Sequence, residues 1–137
     1  MPTVEYFLVA ESVSVDQTSN AVSVFNILEE LRPARFPASL PLVVIVCALA
    51  IDATELGAEI DVTVRVRRTS GQVDELPASF KATGRRHRQI SRLQGLPIEQ
   101  PGELRFDLLV NGRLLASYVV IVTSDTRPTR PPAIGYA

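Results

Sequence analysis

The sequence predicts an all-β fold: a single antiparallel β-sandwich of about eight strands, with immunoglobulin-like or jelly-roll topology. Apolar and polar residues alternate with a period of two, without exception over residues 58–67. The pair Asn111-Gly112 is typical of a two-residue hairpin turn, because a type I′ turn needs a positive φ at both positions. Turn-rich segments recur at intervals that suit a sandwich.

The strands are expected, in chain order, at residues 6–15, 22–31, 42–51, 58–67, 78–83, 88–97, 103–110 and 113–123. The second of these overlaps FNILEELR, which two helical turns would also fit. We prefer a strand for its first half, because aromatic and β-branched residues lead into it. Residues 1–123 form the predicted domain, and the Pro-rich segment 124–137 is a tail that ends it.

The composition, with 46% hydrophobic and 21% charged residues, is that of an ordinary globular domain. A chain of 137 residues can bury a core without disulfides. The single cysteine, Cys47, lies in an apolar run and is expected to be a buried hydrophobe rather than a nucleophile. One Cys and one His cannot supply four zinc ligands of those types, and we predict no metal site and no cofactor.

The location of the protein is predicted to be cytoplasmic. The N-terminal segment has no basic region followed by an apolar stretch and a small-residue cleavage site, as a secretory signal would. The longest apolar run, residues 40–51, falls short of the roughly 20 residues that a transmembrane helix needs. We therefore expect no membrane insertion.

Two strands are apolar on both faces. The hairpin turn predicts the pairs Val110 with Arg113, Leu108 with Leu115, Phe106 with Ser117, and Leu104 with Val119. This register leaves Leu114, Tyr118, Val120 and Val122 on the face away from the core. Strand 42–51 likewise carries Leu42, Val44 and Val46 on its second face, and doubly apolar strands are covered on both sides.

A cover is therefore required if these two strands share a sheet. We expect a symmetric homodimer, since an uncovered apolar patch favours association. The predicted interface consists of Leu42, Val44, Val46, Leu114, Tyr118 and Val120. The alternative is that Ala133, Ile134 and Tyr136 of the tail fold back over the same face.

A polar pair interrupts the rows of apolar side chains in the first two predicted strands. Glu11 falls in the row of Val13, and Asn26 falls in the row of Val24. If Val13 pairs with Val24, Glu11 lies opposite Asn26, and the amide can donate to a buried carboxylate that would otherwise be costly. A bulge that turns Glu11 outward, or a ligand-binding carboxylate, are the alternatives.

The segment ATGRRHRQISR, residues 82–92, is the most basic part of the chain. Residues 65–92 hold eight basic residues against two acidic ones, although the net charge of the chain is -1. Arginine pairs bidentately with phosphate or carboxylate, so the segment predicts a site for a small anion or an acidic protein surface. The proposed residues are Arg85, Arg86, His87, Arg88 and Arg92. The alternative is a solvated edge whose charge blocks strand aggregation.

Catalysis and nucleic-acid binding are both disfavoured at this segment. No nucleophile or carboxylate is placed by local spacing to work with His87, and an enzyme would need Glu11 or Asp107 brought close to it. No Phe, Tyr or Trp lies between Lys81 and Leu104 to stack on bases.

Three motifs occur in order: the loop FPASLP, the turn EQPG and a strand ending in Asn111-Gly112. Over residues 4–122 the sequence resembles a family of small bacterial proteins whose domain carries no assigned function. The resemblance implies a compact β-sandwich and brings no catalytic residues. We therefore expect a non-enzymatic homodimer that acts through protein contacts, with a small-ligand or anion-binding module at residues 85–92 as the alternative.

Overall fold

A computed structural model describes residues 1–124, which form nine strands in two sheets. The strands are β1 (Thr3–Val15), β2 (Val22–Ile27), β3 (Glu30–Leu31), β4 (Ala38–Ala50), β5 (Glu59–Arg67), β6 (Val73–Lys81), β7 (Arg86–Ile98), β8 (Gly102–Val110) and β9 (Arg113–Val122). A 3-10 turn covers Ala53–Glu55. The predicted all-β class is confirmed, and the tail that the sequence predicts lies, apart from Ser124, outside the described residues.

The two sheets have the strand orders β2-β1-β4-β7 and β3-β9-β8-β5-β6. All pairs are antiparallel except β3 with β9, which is parallel, so the prediction of a wholly antiparallel sandwich is wrong at this point. The strand expected at 22–31 divides into β2 and β3 because the chain changes sheets at Leu28. The Leu28 N–H donates to the Val9 carbonyl of the first sheet, and the Tyr118 hydroxyl of the second donates to the Leu28 carbonyl at 2.6 Å.

No helical segment within residues 1–124 is both long and apolar enough to cross a membrane.

The core lies between the facing sides of the two sheets. Its largest fully buried side chains include Phe106, Ile45, Leu49 and Ile60. Full burial of such a side chain contributes roughly 1.5–3 kcal/mol, so the facing apolar rows account for much of the stability. Cys47 belongs to this core, and burial raises the pKa of its thiol to about 11, which keeps it protonated and unreactive.

A bulge in β9 changes the register of the hairpin that β8 and β9 form. Val110 pairs with Arg113 as predicted, but Leu108 pairs with Ala116, so Leu115 is an extra residue. The remaining predicted pairs are each displaced by one residue. Beyond the bulge the observed pairs are Phe106 with Tyr118 and Leu104 with Val120.

The bulge therefore turns the predicted apolar outer row of β9 inward. Val120 is fully buried in the core, and Tyr118 packs against it. Their assignment to a dimer interface is wrong, because the extra residue reverses which side chains of β9 face the first sheet. Leu114, which precedes the bulge, is 52% exposed.

The distal part of the β1–β2 hairpin folds back over the outer face of its own sheet. Pairing of β1 with β4 ends at Ala10, and residues 11–26, here called the arm, continue as a two-stranded ribbon. Arg88 lies across β4 from Tyr6, and a straight β1 would carry Val15 about 30 Å beyond Tyr6. Yet the Arg88 guanidinium donates to the Asn20 carbonyl and side-chain oxygen, at 2.8 and 2.9 Å. The arm must therefore cross back over β4 to β7.

The arm covers the second apolar face of β4. Val44 and Val46 point away from the core cluster, yet they are only 1% and 0% exposed. The arm contributes half-buried valines, Val13, Val22 and Val24. Val44 and Val46 are thus wrongly predicted as dimer interface, and Leu42 is half-buried beside them. The cover that the sequence requires comes from the same chain, and β4 and β9 lie in different sheets.

Candidate functional site: the basic edge of β7

Strand β7 forms one edge of the four-stranded sheet over its whole length of 13 residues. Its register with β4 is continuous from Arg86, opposite Ala50, to Gln94, opposite Leu42. The Ile51 N–H donates to the Arg85 carbonyl just before the strand. Because hydrogen-bonded and non-hydrogen-bonded pairs alternate along an antiparallel ladder, this bond determines which residues of β7 bond to β4. Positions 85, 87, 89, 91 and 93 direct their backbone groups to β4, and positions 86, 88, 90, 92 and 94 direct theirs outward.

The side chains of the predicted basic cluster are divided by the same alternation. Arg86, Arg88 and Arg92 lie on the outer face of the sheet, together with Ile90. His87 lies on the opposite face, toward the second sheet. The five predicted residues therefore do not converge on one point.

Three arginines of the cluster have partners within the described chain. The Arg86 guanidinium forms a bidentate pair with Glu5, with N···O distances of 2.7 and 2.8 Å, and this pairing raises the pKa of Arg86. Arg85 donates to the Ile51 carbonyl at 2.8 Å, and Arg88 holds Asn20 at the tip of the arm. Glu5 neutralises Arg86, whereas Arg88 keeps its charge because Asn20 is neutral.

An open cavity of about 330 Å³ lies between these groups. It is lined by Glu5, Tyr6, Ala48, Arg86 and Arg88. A small anion entering it would have to compete with the Glu5 carboxylate for Arg86. The arrangement is therefore better suited to holding the arm and the strand edge than to concentrating positive charge on one small ligand.

His87 closes the open side of the sandwich between β7 and β6. Its ring stacks on Phe80 with centroids 3.5 Å apart and planes 2° from parallel. Burial lowers the pKa of His87, although a hydrogen bond with Gln89 acts in the opposite direction. The imidazole is therefore neutral near pH 7 and adds no charge to the arginines.

The free energy of unfolding is expected to fall as the pH drops below about 6.5, because of His87. Its folded pKa is lowered, so the unfolded chain binds more protons in this range, and the stability present above pH 6.5 is lost on acidification. Urea denaturation as a function of pH checks this, with His87→Gln as the comparison. The variant should show a flatter pH dependence over this window, and an equal slope would contradict the assignment.

The polar pair predicted in the first hairpin is present but is not buried. Val13 pairs with Val24 as predicted, and Asn26 Nδ2 donates to Glu11 Oε2 at 3.0 Å. Both side chains are exposed, so the predicted burial is wrong. The pair lies at the corner where the arm leaves the sheet, and Asn26 has a φ of 58°, a left-handed conformation that Asn adopts more readily than most residues.

A polar cluster on the outer face of the five-stranded sheet was missed by the sequence reasoning. The Ser117 hydroxyl donates to Asp107 Oδ1 at 2.6 Å, and Arg105 Nε donates to the same oxygen at 2.9 Å. Burial raises the pKa of Asp107, but these hydrogen bonds outweigh it, and the pKa is lowered overall. Only the spacing of Arg105 and Asp107 in one strand is visible in the sequence, because the bulge is what brings Ser117 opposite Asp107.

The residues that an acid–base mechanism would need lie in three separate places. Glu11 is at the corner of the arm, Asp107 is on the outer face of the five-stranded sheet, and His87 stacks between the sheets. Within residues 1–124 there is no cluster of three or more His, Cys, Asp and Glu side chains arranged to hold a metal ion.

Comparison with protein families matches residues 5–123 to DUF6941, described as a family of unknown function. No curated protein matches the chain. The resemblance expected from the sequence, to a family without an assigned function, is confirmed.

Proposed function

We propose that this chain, which belongs to the DUF6941 family of unknown function, is a non-enzymatic β-sandwich that acts through protein contacts at the open edge of β7. An extended segment of a partner protein would add to this edge as a further strand, with main-chain hydrogen bonds supplying affinity. The supporting observation is the run of outward backbone groups at positions 86, 88, 90, 92 and 94. Within residues 1–124 no strand pairs with them.

The other edge strands are less suited to pairing with a partner. β3 has two residues and β2 has six, and β2 belongs largely to the arm. β6 is interrupted by Pro77, which has no N–H to donate. In β7 the breaking residues, Gly95 and Pro97, lie near its C-terminal end, so residues 86–94 are continuous.

A second copy of this chain is a weaker proposal for the partner than a different protein. A dimer through the outer face of β4 would require the arm to be displaced from Val44 and Val46. Two β7 edges paired antiparallel about Ile90 would put Arg88 of one copy opposite Arg92 of the other. Like charges directly opposite each other destabilise a sheet.

The same proposal includes an immunoglobulin-like topology rather than a jelly roll. The order β1-β4-β7 against β9-β8-β5-β6 corresponds to strands A-B-E against G-F-C-C′ of immunoglobulin domains. A cytoplasmic location and a bacterial origin also remain part of the proposal. The one cysteine in the described chain is buried and free, and it needs no oxidising compartment.

Selection from an unbiased library of random peptides as long as residues 86–94 tests the proposal. Peptides that bind the wild type should bind Arg92→Pro at least about fivefold more weakly than Arg92→Gln, because only proline removes an outward N–H from the edge. Both variants lose the same charge, so Arg92→Gln is the matched control. Urea denaturation verifies that both are folded.

Equal binding to Arg92→Pro and Arg92→Gln would contradict pairing at this edge. Failure to select any binding peptide would count against it as well.

A further inference from the structure

We infer that the segment received by β7 is an acidic one, with carboxylates at positions i and i+4; this inference rests on the proposed function. Residues 85–98 contain four arginines and no Asp or Glu, although the chain as a whole has a net charge of -1. Glu5 offsets Arg86, so the edge keeps a local excess of positive charge, from Arg88 and Arg92, within a weakly acidic protein. A partner of opposite charge would be steered to it and held in register.

The positions of the arginines along β7 set the spacing of the partner's carboxylates. The residues whose backbone N–H and C=O groups point away from β4 also place their side chains on the face of the sheet away from the core. They include Arg86, Arg88, Ile90 and Arg92. Residues directly opposite on an added strand place their Cβ atoms about 4.5–5.5 Å away. A matching segment carries acids opposite Arg88 and Arg92, with an apolar residue between them opposite Ile90.

The spacing also separates an extended acidic segment from a small anion. Arg88 and Arg92 are four residues apart in an extended strand, so their Cα atoms are about 13 Å apart. Asn20 already holds the Arg88 guanidinium, so one small anion would be bound chiefly by Arg92, whereas a strand with acids at i and i+4 places one carboxylate beside each arginine. Arg86 is already paired with Glu5, so a partner carboxylate there would have to share it.

The chain's own C-terminal segment has the wrong chemistry for this edge. Residues 125–137 contain Arg127 and Arg130 against a single acid, Asp125, together with three prolines. Like charge and missing N–H groups both disfavour its addition to β7. A separate acidic polypeptide is the occupant that fits.

Calorimetric titration with defined peptides tests the inference. The probe is a synthetic peptide as long as residues 86–94, with glutamate at alternate positions except for a central valine, and threonine between them. Its comparison has glutamine in place of each glutamate. The glutamate peptide should bind roughly tenfold more tightly, from two exposed ion pairs.

The preference for glutamate should depend on Arg88 and Arg92. It should be lost in the double variant Arg88→Gln/Arg92→Gln and strongly reduced near 1 M salt, where the Debye length is about 3 Å. The matched control, Arg67→Gln/Arg113→Gln, removes two exposed arginines elsewhere and should keep the preference.

The possible failures are distinct. Equal binding of both peptides, lost in Arg92→Pro, would overturn the acidic partner and leave edge pairing intact. No binding of either peptide would overturn both. If an oligothymidylate displaces the glutamate peptide from the edge and binds more tightly, the partner is a nucleic acid and the inference is wrong.

Discussion

Replacing Val46 with aspartate is expected to lower the free energy of unfolding by about 3 kcal/mol or more. Val46 lies on the outer face of its sheet, where an aspartate would be harmless if the face were open to solvent. It is 0% exposed because the arm lies over it. The new carboxylate would be buried beside Val44 and Ala48, with Ile90 directly opposite it. Arg88 and Arg92 are only diagonal neighbours, and Arg88 is already bound to Asn20.

Urea denaturation of Val46→Asp measures this, and two further variants make the result interpretable. Val46→Ala should lose about 2 kcal/mol or less while keeping the fold, since it only removes buried methyl groups. Leu114→Asp puts the same charge at an exposed apolar site and should change stability by less than about 0.5 kcal/mol. If Val46→Asp is as stable as Leu114→Asp, the arm does not cover β4.

Aspartate at Val120 is expected to cost about 3 kcal/mol or more, whereas aspartate at Val119 is expected to be tolerated. The two positions are adjacent, so they compare opposite faces of the same strand. With the bulge at Leu115, Val120 lies opposite Leu104 in the core and is fully buried. Val119 lies opposite Arg105 on the outer face, where a carboxylate gains a cation as neighbour.

The same denaturation measurement on both variants decides between the two registers of the hairpin. Without the bulge, Val119 would face the core and Val120 the outside, so the order of the two stabilities would be reversed. If Val120→Asp is more stable than Val119→Asp, β9 has no bulge and Ser117 does not pair with Asp107.

The arm and the bulge together explain why the surface predicted for association shifts. Both close apolar faces that the sequence leaves without a cover, one with a folded-back ribbon and one by turning a row of side chains inward. The edge of β7 and its arginines remain exposed on the four-stranded sheet, together with Phe25 and Ile27 of β2. This shift makes β7, rather than the face of β4, the surface at which the proposed contacts are made.

Local chemistry alone predicts much of the fold. The alternation in residues 58–67 corresponds to β5, with Ile60, Val62, Val64 and Val66 all in the core. The Asn111-Gly112 turn is found where it was expected, because that pair adopts positive φ values at low cost. The contact between Glu11 and Asn26 could be predicted because each residue interrupts an alternating row of apolar side chains. Pairing of Val13 with Val24 then places the two residues opposite each other.

The tertiary structure decided where those local patterns are interrupted or folded over. A one-residue bulge reverses every subsequent side chain of a strand, and residues 113–122 contain no glycine or proline to signal it. The reversal of the arm depends on contacts between residues far apart in the chain, Arg88 with Asn20, that no local pattern contains. The sequence by itself thus determined most of the strands and which segment of the chain is basic. Only packing between distant segments determined which apolar faces are covered and which strand edge is left open, because burial is a property of neighbours in space.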